Sequence, residues 1–200
     1  MLIVGLSGNI GCGKSSLSKI FMEEHIDVVD ADIVSRQIFE DEELLETVFE
    51  KFGPSIKNED GSLNRKVLGN IVFNDDNKLI ELNNLTHPKI KQKILNQIKC
   101  IKEQNKSIVI LDGALLVETG YLDDIDKLLV IICDEDVQIE RIKRRDNCTK
   151  EQALSRIKSQ MSQGQKVKYA DYIIDNSGTL EELKEKAYKF ISDIKENWSE

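Results

Sequence analysis

Short aliphatic runs alternate along this chain with longer stretches whose apolar residues recur every three or four positions. Leu2-Ile3-Val4-Gly5-Leu6, Asp27-Val28-Val29-Asp30, Ser107 to Asp112, Lys127 to Cys133 and Tyr172-Ile173-Ile174-Asp175 are unbroken β-branched or aliphatic runs of strand length. That is the pattern of strands buried on both faces. Helical spacing marks Ser15 to Glu24, Asp41 to Phe52, Asn64 to Asn74, Pro88 to Glu103, Val137 to Arg145 and Lys150 to Gln160. Strands that alternate with helices predict an α/β fold, a doubly wound parallel five-stranded sheet. Three of the runs end in aspartate, at Asp30, Asp112 and Asp175. Ligands of open α/β sheets bind beyond the carboxyl ends of the strands, so these aspartates fall on the functional rim, as ligand-facing groups or as caps of the turns that follow.

Two segments interrupt the alternation. Residues 40–106 are helical and polar and separate the second strand from the third by far more than a usual connection; they are expected to form a helical substrate-binding insertion. Residues 138–168 carry Arg141, Lys143, Arg144, Arg145, Arg156, Lys158, Lys166 and Lys168 and are expected to form a helical lid over phosphates. Residues 1–39, 107–137 and 169–200 then make the core of a single domain.

Charge and cysteines narrow the function. With 36 acidic against 28 basic side chains and a formal charge of −8, the chain is a poor partner for nucleic acid or an anionic membrane. Any phosphate site must be basic locally. Cys12, Cys100, Cys133 and Cys148 are far apart in sequence, with no Cys-x-x-Cys pair and only His25 and His87 as companions; no zinc site is expected, and the thiols are expected to be reduced. The apolar run at residues 2–6 is too short for a signal peptide and no run reaches membrane-spanning length, so a cytoplasmic location is expected.

The sharpest motif is Gly8-Asn9-Ile10-Gly11-Cys12-Gly13-Lys14-Ser15, a full match to G-x-x-x-x-G-K-[ST]. It follows the first strand and opens a helix, as a P-loop must. Glycines let successive backbone N–H groups turn inward around a β-phosphate, and the helix N-terminus adds partial positive charge. Lys14 is placed to reach the β- and γ-phosphates of ATP and Ser15 to ligate Mg²⁺. The GTPase signature Asn-Lys-x-Asp is absent, since Asn105-Lys106 runs into Ser107-Ile108. A small P-loop chain with an insertion and an arginine-rich segment points to a kinase.

Further blocks follow in fixed order: Asp30-Ala31-Asp32-Ile33-Val34-Ser35-Arg36, Asp60-Gly61-Ser62-Leu63-Asn64-Arg65, Ile71-Val72-Phe73, His87-Pro88, Leu115-Leu116-x-Glu118, Gln138-x-x-Arg141-x-x-x-Arg145, Arg156-x-x-x-Gln160-Met161 and Ala170-Asp171-Tyr172-x-x-Asp175-Asn176. Together with the P-loop, and over nearly the whole chain, they resemble the dephospho-CoA kinase family. Ala114 stands where that family usually has proline, Ser35 where alanine is common and Ser16 where threonine is usual.

The resemblance implies a P-loop NTPase-like fold and the reaction ATP + dephospho-CoA → ADP + CoA at the ribose 3′-hydroxyl, with Mg²⁺ and no obligate protein partner. It implies a catalytic set of Asp32, Lys14 and Arg141, with Asp32 receiving the hydroxyl proton. For ATP it implies Gly8, Gly11, Cys12, Gly13, Lys14, Ser15, Ser16, Arg145 and Asn176. For the acceptor it implies Asp32, Arg36, Arg65, His87, Leu115 and Glu118, and for the metal Ser15, with Asp32 or Asp112 acting through water. Bland readings stand beside several of these. Asp32 caps a helix beginning at Ile33, Arg36 makes a surface salt bridge, Arg141 and Arg145 share a solvated helix face, His87 packs at a helix start, and Leu115-Leu116 is core. Two other functions remain open: a P-loop kinase for a nucleoside, nucleotide or shikimate-like alcohol, and a nucleotide-binding regulator without turnover.

Overall fold

A computed structural model describes residues 1–197 of the chain. Two compact units emerge, one formed by Met1–Asp30 together with the chain from Ile98 onward, the other by Ala31–Gln97.

The first unit is built on five parallel strands, β1 (Leu2–Gly8), β2 (Asp27–Asp30), β3 (Ile108–Asp112), β4 (Lys127–Ile132) and β5 (Tyr172–Asp175), in the order β2-β3-β1-β4-β5. Alternate residues of the strands go to opposite faces. Val4, Leu6, Ile108, Ile110, Leu129, Ile131 and Ile174 form one buried cluster with the apolar stripes of α1 (Lys14–Glu23) and α9 (Leu180–Asn197). Val109, Leu111, Leu128 and Val130, the intervening residues, are equally buried, which is why the central runs read as continuous apolar sequence. Phe190 of α9 anchors the first face, with its ring centroid 5.8 Å from Phe21 and 5.0 Å from Tyr172. The same unit carries α6 (Glu135–Asp146), α7 (Lys150–Lys158) and α8 (Gln163–Lys166).

The second unit is helical: α2 (Ala31–Gln37), α3 (Glu42–Phe52), α4 (Arg65–Phe73) and most of α5 (Asp76–Glu103). Asp41 caps α3 by accepting from the Leu44 N–H at 3.0 Å, and Asn64 caps α4 by accepting from Val67 at 3.1 Å. Ile38, Leu44, Val48, Phe49, Phe52, Ile56, Leu68 and Val72 make its own core. Where the insertion was expected over 40–106, the unit covers Ala31–Gln97, and Ile38 belongs to its core with residues of α3 and α4.

Two helices depart from the sequence expectation. α5 begins at Asp76, not Pro88, and runs through the proline. Proline lacks only one N–H, and the apolar contacts of Leu79, Leu82, Leu85 and Ile90 hold both halves to the same core. α9 is absent from the expected helices, although Leu183, Ala187, Phe190, Ile191 and Ile194 repeat at helical spacing among charges. Among the described residues no helix is long and apolar enough to cross a membrane.

Candidate functional site

The loop 8–13 leaves β1 at the carboxyl edge of the sheet and enters α1 at Lys14. Its tightness explains its glycines. A Cβ on Gly8 would lie 2.5 Å from the Ile131 side chain, and one on Gly13, whose φ is +94°, would lie 2.1 Å from the Asn176 side chain. Gly13 is the N-cap of α1 in the left-handed conformation, and its carbonyl accepts from the N–H groups of Ser16 and Leu17. Ser15 and Ser16 stand exposed in the first turn of α1.

Behind this loop lies a buried ionic cluster. Lys14 Nζ pairs with Asp112 Oδ1, and the Ser18 hydroxyl donates to Asp112 Oδ2. Asp112 closes β3 with its side chain 3% exposed, and the strand register sets Asp30 of β2 directly opposite it. Burial pushes the Asp112 carboxyl above the usual carboxylate range and the Asp30 charge pushes it the same way, while Lys14 and Ser18 pull it down. Asp112 is therefore a ligand-edge carboxylate tied to the P-loop lysine, not a turn cap.

Side chains far away in sequence hold the loop in shape. Asn176 Nδ2 donates to the Cys12 carbonyl at 2.8 Å, Gln138 Nε2 to the Ile10 carbonyl at 2.7 Å, and the Ile10 N–H to Gln160 Oε1 at 2.8 Å. Asn9 Nδ2 reaches the Met161 carbonyl at 2.8 Å. Asn176, 5% exposed, thus buttresses the loop from behind. The sequence alone assigns no role to Gln138 and Gln160, because their pairing partners lie 128 and 150 residues away, beyond any local signal.

The basic segment is mostly engaged internally. Arg141 donates to the Asn176 carbonyl at 2.8 Å and the Gly178 carbonyl at 3.4 Å, next to the loop that Asn176 supports. Arg145 instead forms a two-pronged pair with Asp146 at 2.7 and 2.9 Å, and Arg156 joins the same carboxylate. The two arginines therefore have different environments despite their spacing. Lys166 is fully buried, pairing with Glu118 at 2.9 Å and donating to the Ala114 carbonyl. Glu118, expected at the acceptor, is held by that pair. Leu115 and Leu116 divide: Leu116 is core at 1% exposure and Leu115 is 43% exposed, so the expectation of a core pair holds for one of them only.

In the second unit, Asp32 lies in the first turn of α2, which begins at Ala31, so it is not the cap of a helix starting at Ile33. Arg36 lies exposed in the last turn of the same helix, and no ion pair engages its guanidinium among the described residues. Arg65, at the start of α4, donates to the Arg36 carbonyl at 2.7 Å and stacks 5.0 Å over Phe39. This unit thus gathers Arg36 and Arg65. His87 is exposed in the middle of α5, which removes the reading of it as a helix-start packing residue.

The donor set fits a magnesium ion carried in by a nucleotide. Among the described residues no three His, Cys, Asp or Glu side chains form a metal cage. The exposed Ser15 hydroxyl and the Asp30–Asp112 carboxylate pair instead suit an ion held chiefly by phosphate oxygens and water.

The chain is similar to known proteins over nearly its whole length. The family model for dephospho-CoA kinase matches residues 2–182. The chain is 38% identical to a dephospho-CoA kinase of Listeria innocua over 94% of each chain. It is 38% identical to one of Fusobacterium nucleatum over 97% of this chain and 99% of the other. Among solved structures, dephospho-CoA kinase from Campylobacter jejuni superposes with a TM-score of 0.75 at 31% identity, covering 97% of both chains. Shikimate kinase from Acinetobacter baumannii, at 14% identity and a TM-score of 0.52, shares the fold alone.

Proposed function

The chain belongs to the dephospho-CoA kinase family, and from that membership we propose how its own residues carry out the reaction. The enzyme transfers the γ-phosphoryl group of ATP to the ribose 3′-hydroxyl of dephospho-CoA, giving CoA and ADP, the last step of coenzyme A synthesis. The observation that carries the residue-level reading is the intact P-loop whose lysine is moored to Asp112 at the carboxyl edge of the sheet.

Phosphoryl transfer asks for positioning and charge neutralisation more than for covalent chemistry. Backbone N–H groups of residues 13–15, where the loop enters α1, bind the β-phosphate. Lys14 leaves Asp112 in part for the phosphoryl oxygens, and Ser15 would hold Mg²⁺, with Asp112 or Asp32 acting on it through water. When bound with ATP, Mg²⁺ neutralises charge on the β- and γ-phosphoryl oxygens. Asp32 orients the 3′-hydroxyl and takes its proton as the bond to phosphorus forms. Arg141 exchanges its carbonyl partners for the transferring group and stabilises its charge. Arg36 and Arg65 supply cations for the anionic acceptor, with exposed Leu115 and His87 as further acceptor contacts. Arg145 meets ATP only by releasing Asp146, as expected of residues 138–168 closing as a lid over the phosphates. A cytoplasmic location and action without a protein partner or nucleic acid complete the proposal.

A panel of acceptors tests it. ADP release should require dephospho-CoA and be absent with shikimate, nucleosides and nucleotides; turnover with one of those and not with dephospho-CoA would reject the assignment.

A further inference from the structure

Two of the four cysteines, far apart in sequence, meet in the fold. Cys12 belongs to the P-loop and Cys133 follows the last residue of β4; both are buried, and their sulfurs lie 3.4 Å apart. The register that pairs Gly8 with Ile131 brings the loop after β1 alongside the end of β4. Gln163 fixes the pair from α8: its Oε1 accepts the Cys133 N–H at 2.9 Å and the Cys12 thiol at 3.3 Å, and its Nε2 donates to the Cys133 carbonyl at 3.0 Å. Cys100 is exposed and Cys148 half-buried, and neither has a sulfur partner among the described residues.

We propose that Cys12 and Cys133 form an oxidation site, at which hydrogen peroxide produces a disulfide that ties the P-loop to the end of β4 and weakens nucleotide binding. The two thiols are differentiated for such chemistry. Cys133 is held below the ordinary thiol value by its hydrogen bond with Cys12 and by the Arg141 charge, whereas Cys12 is pushed well above it by the bond to Cys133 and by burial. The Cys133 thiolate attacks one peroxide oxygen, the O–O bond breaks, and hydroxide leaves to be protonated to water. The resulting sulfenic acid is then attacked by the Cys12 sulfur, which gives up its proton as the S–O bond breaks and a second water leaves. Two thiols lose two electrons and one peroxide gains them. A peroxide molecule is small enough for a site where Cys133 is 6% exposed.

Inactivation follows from the distance. A disulfide holds its sulfurs about 2.0 Å apart, so the pair must close by more than an ångström from 3.4 Å. The Cys12 backbone, which donates to Asn9 and accepts from Asn176, moves with it, and the phosphate cradle moves too. Loss of even one charge-assisted hydrogen bond to phosphate weakens binding about 10- to 100-fold.

The test treats the full chain with hydrogen peroxide and follows binding of a fluorescent ATP analogue, alongside mass spectrometry of a non-reduced digest. The expected result is a linked Cys12/Cys133 peptide, binding weakened about 10- to 100-fold, recovery with dithiothreitol, and untreated affinity kept by peroxide-treated Cys133→Ala. Absence of the linked peptide, a linked peptide with full binding, or equal loss in Cys133→Ala would overturn the proposal. Should Cys133→Ala not fold, Cys133→Ser takes its place, and the linked peptide in the unaltered chain decides without any variant. Because nucleotide binding is read without an acceptor, failure here is distinct from failure of the acceptor assignment.

Discussion

Lys14 and Asp112 form an ion pair in which the carboxylate is 3% exposed and the lysine 15%. Lys14 is therefore part of a buried cluster as well as a ligand group, and Lys14→Ala affects two properties. Turnover should vanish, because the β- and γ-phosphate contact is lost. Stability should fall by about 2 kcal/mol or more near pH 8, because Asp112 is left buried without its cation. The pH dependence has a definite sign. A carboxyl whose folded pKa is raised gives its full stability below the unfolded value and loses it as pH rises through the folded one. Removing Lys14 raises the Asp112 pKa further, since Lys14 is one of the groups pulling it down. The melting deficit of Lys14→Ala should therefore grow as pH rises above the ordinary carboxylate value of about 4. A deficit independent of pH contradicts the role given to Asp112.

Asp32 sits inside α2 and does not cap it, which sharpens the consequence of replacing it. Asp32→Asn should lower kcat by about 10²- to 10⁴-fold with ATP affinity and melting temperature nearly unchanged. Steady-state kinetics beside a thermal melt check this, and near-normal turnover removes Asp32 from the chemistry.

Arg141 contacts the carbonyls of Asn176 and Gly178. Arg141→Ala should reduce kcat by more than it raises either KM, because its contact with the transferring group is made chiefly in the transition state. A pure KM effect, measured for both substrates, would reassign it to ground-state binding.

Asn176 acts through the loop. Asn176→Ala removes the hydrogen bond to the Cys12 carbonyl and should raise the KM for ATP about tenfold, equivalent to roughly 1.4 kcal/mol, with a smaller change in the KM for dephospho-CoA. An unchanged KM for ATP would show that the loop keeps its shape without this support.

The five strands were legible because burial on both faces makes each a continuous apolar run, and the P-loop because its geometry is local, fixed by glycines within a few residues of Lys14. What pairs across the chain was not. Gln138 and Gln160 grip Ile10 from distant helices, Lys166 reaches Glu118 and Ala114 from α8, and the Cys12–Cys133 contact exists only once β1 and β4 lie side by side. Spacing put Arg141 and Arg145 on one face, but Asp146 beside Arg145 decided that their partners differ. α5 was cut short at Pro88 because the local rule against proline in a helix was outweighed by the apolar contacts on both sides of it.

The most direct test of the central claim is where the new phosphate sits. Purified enzyme, ATP and dephospho-CoA should yield a single product whose phosphorus and proton NMR place the added phosphoryl group on the ribose 3′-oxygen, identical to authentic coenzyme A. A phosphate on the 2′-oxygen, on the pantetheine end or on water would contradict the account.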